Sequence, residues 1–427
     1  MAESRQTTGT MPSITNSITA HEIKRQQQQK RHFSDSHYDN AAHSHPPITK
    51  FFHPNTHFYR PQTRFRGSSQ SHVEKKGHEH VYHVWRSRDN RKGRHAVVIF
   101  FQKEKDEEGG GKRKKWQGGM ESTNSLRQVA RGVAKMATRF PVWDVSWLVA
   151  MAFVWGSIVW CINGCFVYFP LAAPRSEFEG ETDIAAGILA FIGATIFEIG
   201  SVWMVLEAVN ENRTDCFGWA LEEAGHPTLH HTHEEHCQHS SSDRKSLLPS
   251  TAPERKWSWW PTAHELRTHY IKELGFLAAI TQLVGATIFW MAGFTSIPPI
   301  YDSFSSVRVM NGTYWLPQVV GGCGFIISAI FIMLEVQERW WKPNLKSLGW
   351  HIGFWNLVGA IGFTLCGALG FGVDDEAVEY ASIVSTFVGS WAFLTGSVIQ
   401  WYECLNKYSL SIERRPSWVR SSESLSA

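Results

Sequence analysis

Residues 193–207 read Gly193-Ala194-Thr195-Ile196-Phe197-Glu198-Ile199-Gly200-Ser201-Val202-Trp203-Met204-Val205-Leu206-Glu207, and their frame returns twice more along the chain. A glycine is followed seven and eight residues on by two small residues, and fourteen residues on by glutamate. The second copy is Gly321, Ser328, Ala329 and Glu335; the third is Gly389, Gly396, Ser397 and Glu403. Residues seven apart on a helix point almost the same way, so each copy lays small residues and one carboxylate along a narrow face. Self-similarity at a fixed spacing sets the architecture before any local reading.

Each copy is preceded by a second apolar stretch with its own pattern, an aromatic residue midway between two glycines. Its copies are Gly156, Trp160 and Gly164; Gly285, Phe289 and Gly293; and Gly359, Phe363 and Gly367. Six stretches result, at 146–169, 184–207, 273–295, 315–337, 350–371 and 378–402, each near the roughly 20 apolar residues that cross a bilayer as a helix. Aromatic side chains such as Trp143, Tyr168, Trp315, Trp350 and Tyr402 mark their ends, where amphipathic rings prefer the headgroup layer. The fold expected is an all-α integral membrane protein. Its six transmembrane helices form three tandem, parallel two-helix hairpin repeats behind a long disordered N-terminal tail. Small faces let helix backbones approach closely, so the glycines are expected at hairpin seams.

The chain has 427 residues and a formal net charge of +3, but the overall balance averages two unlike halves. Residues 1–124 form a basic, His- and Gln-rich segment whose single apolar run, Ala96 to Phe101, is too short to span. Such composition is expected to stay disordered. No signal-peptide core follows Met1, so the first span is expected to target the chain. Residues 125–140 carry an apolar stripe beside Arg127, Arg131, Lys135 and Arg139, the pattern of a basic amphipathic helix lying on an anionic leaflet. Hairpin repeats follow at 141–209, 263–338 and 339–408, with a His-rich loop at 210–262 and a tail at 409–427. Seven cysteines without a CxxC pair support neither a disulfide framework nor a zinc knuckle.

Basic residues set the orientation. Those flanking the spans gather on one side, with only Arg175 and Arg308 on the other. Both termini and the His-rich loop are therefore expected in the cytoplasm, in a plasma membrane or endomembrane. The Asn311-Gly312-Thr313 sequon falls on the opposite side, making Asn311 a candidate glycosylation site.

In the last hairpin, Gly353-Phe354-Trp355-Asn356-Leu357-Val358-Gly359-Ala360-Ile361-Gly362-Phe363 is followed by Phe387-Val388-Gly389-Ser390-Trp391-Ala392-Phe393-Leu394-Thr395-Gly396-Ser397. This pair resembles the YrhK-like membrane hairpin. The region from about 140 to 408 resembles fungal multi-span integral membrane proteins built from such hairpins. The resemblance implies fold and membrane residence and supplies no activity and no site residues.

Ionisable groups within hydrocarbon are costly, which makes each a functional candidate. Glu198 lies mid-span, off the glycine face. Gln282 and Asn356 occupy equivalent positions, three residues before Gly285 and Gly359, and are candidate partners for Glu198 or for one another. These three make a candidate polar site, either a cation or proton path or interhelical glue. Glu207, Glu335 and Glu403 repeat at the helix ends on the basic side, either as an acidic ring or paired with arginines such as Arg213 or Arg339. His230, His231, His233, His236, Cys237 and His239 offer ligands for a labile metal site, with compositional drift in a loop as the alternative. No nucleophile–base pair, phosphate loop, zinc-helix motif or paired carboxylates stand out, so neither an enzyme nor a cofactor is expected. The partner expected is the lipid bilayer, with nothing pointing to nucleic acid. The functional expectation is a membrane scaffold or sensor, with a transporter or channel for a small cation or neutral solute as the alternative.

Overall fold

The computed structural model describes residues 43–59, 81–101, 123, 125–211, 213–214, 217, 257–414, 416 and 418. Its frame is six long helices: α3 (Val145–Ala172), α4 (Gly187–Val209), α5 (Leu274–Thr295), α6 (Leu316–Glu335), α7 (Leu348–Leu369) and α8 (Glu376–Leu405). Wider turns at Glu181–Ala186 and Asn311–Trp315 lead directly into α4 and α6. With these, all six are long and apolar enough to cross a membrane. Each packs on its neighbours in sequence, and α8 returns to α3, so the helices close into a ring.

The repeated glycines explain how closely the ring packs. A Cβ on Gly193 would stand 2.7 Å from Trp160, one on Gly321 2.6 Å from Phe289, and one on Gly389 3.0 Å from Phe363. Each aromatic of an odd helix thus seats in the notch of the even helix that follows it. Gly156 and Gly359 return the arrangement, receiving Phe197 and Phe393. The second glycine of each triplet faces a different neighbour: Gly164 meets Phe387 of α8, Gly293 meets Ala194 of α4, and Gly367 meets Gln318 of α6. One glycine therefore closes a hairpin, as the sequence suggests, and the other joins one hairpin to the next.

At the centre, Trp160, Phe289 and Phe363 meet edge to face or tilted, with centroids 5.7, 4.8 and 5.7 Å apart around the triangle. Phe197, Phe325 and Phe393, one from each even helix, pack against them. These six buried rings fill the middle of the bundle. Edge-to-face pairs add about 0.5–1.5 kcal/mol each beyond the area they bury.

The all-α expectation requires correction. Strands β1 (His43–Ser44), β2 (Thr56–Tyr59), β3 (Val81–Arg86), β4 (His95–Phe101) and β5 (Tyr408–Arg414) form one sheet in that order. β1 to β4 are antiparallel neighbours, and β5, just beyond α8, runs parallel to β4 with Ala96 opposite Ser409. The expectation of disorder therefore fails for residues 43–59 and 81–101, and strand β5 takes in the first residues of the tail expected at 409–427. The apolar run Ala96–Phe101 is a sheet strand: Ala96, Val98 and Phe100 bury with Phe58, Tyr82 and Val84 against Trp418. Isolated hairpins are marginal in water, and a third strand with an apolar face supplies the missing burial.

Between β3 and β4 sits one short helix, α1 (Ser87–Arg91). Gly93 ends it at φ +60°, a conformation open to glycine. The Gly93 amide donates to the Asn90 carbonyl and the Arg94 amide to the Asp89 carbonyl, the paired bonds of a Schellman stop. That stop turns the chain sharply into β4 and aims α1 at the bundle. Another helix, α2 (Leu126–Thr138), lies alongside α8, with Gly132 against the Tyr402 ring.

Candidate functional site

The three repeated glutamates end up together. Glu207, Glu335 and Glu403 are 0, 2 and 1 % exposed, so each carboxylate is wholly withdrawn from water. Their partners come from α1 and its stop, in the segment Ser87-Arg88-Asp89-Asn90-Arg91-Lys92-Gly93-Arg94. Arg91 bridges two helices, reaching Glu207 at 2.8 Å and Glu335 at 2.7 Å. Arg88 reaches Glu403 at 2.7 Å and Glu335 at 3.6 Å. Lys92 takes Glu207 at 3.0 Å, and Arg94 spans Asp89 at 2.8 Å and Glu403 at 3.1 Å. Positions 88, 91 and 92 share one helix face, which is why one turn can address three helix ends.

The sequence allows these glutamates an acidic ring or pairing with arginines such as Arg213 or Arg339; the structure pairs them instead with Arg88, Arg91, Lys92 and Arg94. The missed signal was the run of four cations in eight residues, set between the only apolar run of the tail and another β-rich segment.

The second residue of each odd helix makes room for the network. Ser146 hydrogen-bonds to Glu207, while a Cβ on Gly275 would lie 2.7 Å from Arg91 Nε and one on Gly349 2.6 Å from Arg88 Nε. Strands β1–β4 with α1 form a cap over the helix ends that carry these glutamates, and further bonds fix its position. Asn55 donates to the Leu334 carbonyl at 3.2 Å, Asn90 to Glu211 at 2.7 Å, and the His95 amide to the Lys407 carbonyl at 2.7 Å. Lys407 in turn pairs with Asp144 at 2.5 Å.

Charge in this buried network decides protonation. Burial alone would lower the Arg88 and Arg91 pKa values, but the surrounding glutamates more than offset it and both are raised. For Lys92, burial outweighs Glu207 and the ammonium is held below its ordinary value. Glu273, just before α5, is 6 % exposed and accepts a 3.1 Å hydrogen bond from Ser87. Burial, and then the negative charge of Glu211, push its carboxyl up to about 8.

Behind the cap lies a cavity of about 30 Å³, room for about two waters. Gln282, Asn356 and Gln400 line it from α5, α7 and α8, with Arg88, Arg91 and Lys92 at one end and the phenylalanines at the other. Among the described residues none of these three amides has a protein hydrogen-bond partner, although Gln400 is only 7 % exposed. Gln282 and Asn356, singled out in sequence, therefore share a cavity without bonding to each other. Glu198 is elsewhere. It is half-buried and accepts a 2.8 Å hydrogen bond from Thr287, an exposed residue of α5. The candidate trio is thus one pair in the interior and one carboxyl on the α4–α5 flank.

Asn311 lies in the turns leading into α6, with its Oδ1 buried. The ligands proposed at His230, His231, His233, His236, Cys237 and His239 lie outside the described residues. On α2, Leu126, Val129 and Val133 are exposed, and Lys135 contacts Asn406.

The chain matches no protein-family model, no curated protein and no solved structure.

Proposed function

We propose that this chain is a non-enzymatic membrane scaffold or sensor that carries its own detachable cap. Six helices, read as three parallel two-helix repeats related about a central axis, form the membrane body. The likeness of the last hairpin to YrhK-like hairpins of fungal multi-span proteins supports that reading. The charge asymmetry supports a cytoplasmic location for both termini and the cap, and the exposed apolar face of α2 beside its basic residues supports contact with anionic lipid.

One observation carries the proposal: the cap is held by buried ion pairs rather than by apolar packing. Such pairs are no stronger than well-packed hydrophobic residues of equal volume, yet breaking one partner is costly. An interface so built is specific in register and open to competition by charge, which suits a docking surface that cycles. Release would present three clustered carboxylates and the underside of α1 to partners.

A second reading rests on the cavity. Three unpaired amides behind a cationic plug are also what a gated path for a small solute needs, with the aromatic centre as its other barrier.

Thiol labelling separates these. In a chain stripped of its native cysteines, Ser87→Cys reports the cap and Asn356→Cys reports the cavity. The scaffold reading expects an impermeant reagent to label the cap site faster when Arg91→Ala is added, with the cavity site protected from the side opposite the cap. Labelling of the cavity site from both sides favours the path. A cap site whose labelling is unmoved by Arg91→Ala removes the detachable cap altogether.

A further inference from the structure

We infer that His53, His269 and Glu273 form a binding site for a divalent transition ion of the Zn²⁺ class, and that the ion latches the cap to the bundle. The ligand atoms of these three residues all lie within 4.8 Å of one another. Two imidazoles and a carboxylate suit Zn²⁺, whose ligand bonds are about 2.0–2.2 Å, so tetrahedral ligand atoms stand about 3.4 Å apart. Small side-chain rotations close that difference. The imidazoles are already neighbours, with ring centroids 5.6 Å apart.

The site joins two separate parts of the chain. His53 belongs to the segment between β1 and β2, while His269 and Glu273 flank the turn Tyr270–Lys272 that opens α5. The His53 amide already donates to the Lys272 carbonyl at 3.2 Å, holding the segment in place. Three protein ligands leave a fourth position for water, and the partial exposure of both histidines gives the ion a route from solvent.

Charge points the same way. Arg88, Arg91, Lys92 and Arg94 are matched within the network by Glu207, Glu335, Glu403 and Asp89. Glu273 is a further carboxylate at the edge of that network, buried, near Glu211, Glu335 and Arg91, and hydrogen-bonded by the Ser87 hydroxyl. A dication beside it offsets the excess of carboxylates over cations there. The Ser87 bond supplies the second contact that ligating carboxylates usually carry. This latch depends on the docked position of the cap and not on what the cap's release accomplishes.

The test uses the full chain in nanodiscs with a histidine-free tag. His226, His230, His231, His233, His236, Cys237 and His239 are replaced, so the His-rich loop cannot contribute. Zn²⁺ is the probe, with bound metal counted by equilibrium dialysis and cap opening read by hydrogen exchange in β4 and β5, whose ladder joins the cap to the end of α8. One Zn²⁺ should be lost per chain in His269→Gln, and again in Glu273→Gln. At a free Zn²⁺ concentration one hundred times the dissociation constant, exchange of the parent should slow about a hundredfold. Metal-free exchange of His269→Gln should match the parent and then stay unmoved by Zn²⁺. Equal stoichiometry in parent and both variants, or exchange in the parent that ignores Zn²⁺, overturns the latch.

Discussion

Arg91 is the residue on which the capped state turns. Its guanidinium contacts Glu207 and Glu335 on two different helices, and both carboxylates are buried. Arg91→Ala removes one charge and leaves two acceptors short of a partner inside the protein. Lys92 still holds Glu207 and Arg88 still stands 3.6 Å from Glu335, so neither is stranded entirely. Removing one partner of a buried pair costs about 3–5 kcal/mol. At about 1.4 kcal/mol per decade, the open population rises between a hundredfold and several thousandfold. Hydrogen exchange of the β4 and β5 peptides measures this directly, because the ladder between them parts when the cap lifts from the end of α8. Arg127→Ala, on α2, is the control for losing a basic residue outside the network. The reasoning fails if Arg91→Ala and Arg127→Ala accelerate exchange equally. It fails also if Arg91→Ala combined with Glu335→Gln is additive, because contacting partners in one network must couple.

Gly275→Leu should mimic cap release, because its Cβ alone would crowd Arg91 Nε at 2.7 Å; exchange in β4 should quicken while the helices keep their circular dichroism. Phe363→Ala should lower the stability of the bundle by about 3–5 kcal/mol, since it removes a 1 % exposed ring from the central triangle; thermal unfolding in detergent reads it. Glu198→Gln should change stability by less than about 1 kcal/mol, because the amide oxygen can still accept from Thr287; a large loss in the same assay would show that the ionised form is required.

The membrane body was legible because its signals are local and periodic. A glycine notch and the aromatic that fills it sit on adjacent helices at repeated spacings, so Gly193 with Trp160 and Gly389 with Phe363 are written into the chain. A further repeat, Phe197, Phe325 and Phe393 four residues past each first glycine, carried the same information and went unread. The cap was not legible. Its strands are two to seven residues long, the partner of β4 lies some 300 residues away in β5, and α1 has five residues. Composition made Arg88, Arg91 and Lys92 look solvated, and only the contact with Glu207, Glu335 and Glu403 shows why they are buried. Conversely, Glu198 stood out in sequence because it is a charge in an apolar run, yet it faces a flank where Thr287 satisfies one oxygen.

A ring with three equivalent glutamates poses a problem of register. Were the three helix ends identical, α1 could dock in three rotations and find a carboxylate under each cation every time. The odd helices break the tie. Beside Glu207 stands Ser146, which donates a hydrogen bond, whereas the matching positions are Gly275 and Gly349, which leave space for the Arg91 and Arg88 side chains. A rotated cap would drive a guanidinium against Ser146 and leave a gap over one glycine. Asn90 would also lose Glu211, whose equivalents are Arg339 and Lys407, and Ser87 would lose Glu273, whose equivalents are Asp144, already paired with Lys407, and Ser347. Specificity therefore comes from what a wrong register forfeits rather than from stronger pairing in the right one. Ser146→Gly should accordingly leave the ion pairs intact while blurring the choice among rotations. Double electron–electron resonance between a label on β4 and one on α6 would then show more than one distance where the parent shows one. A single unchanged distance would mean that Asn90, Ser87 and the β4–β5 ladder beside α8 fix the register without Ser146.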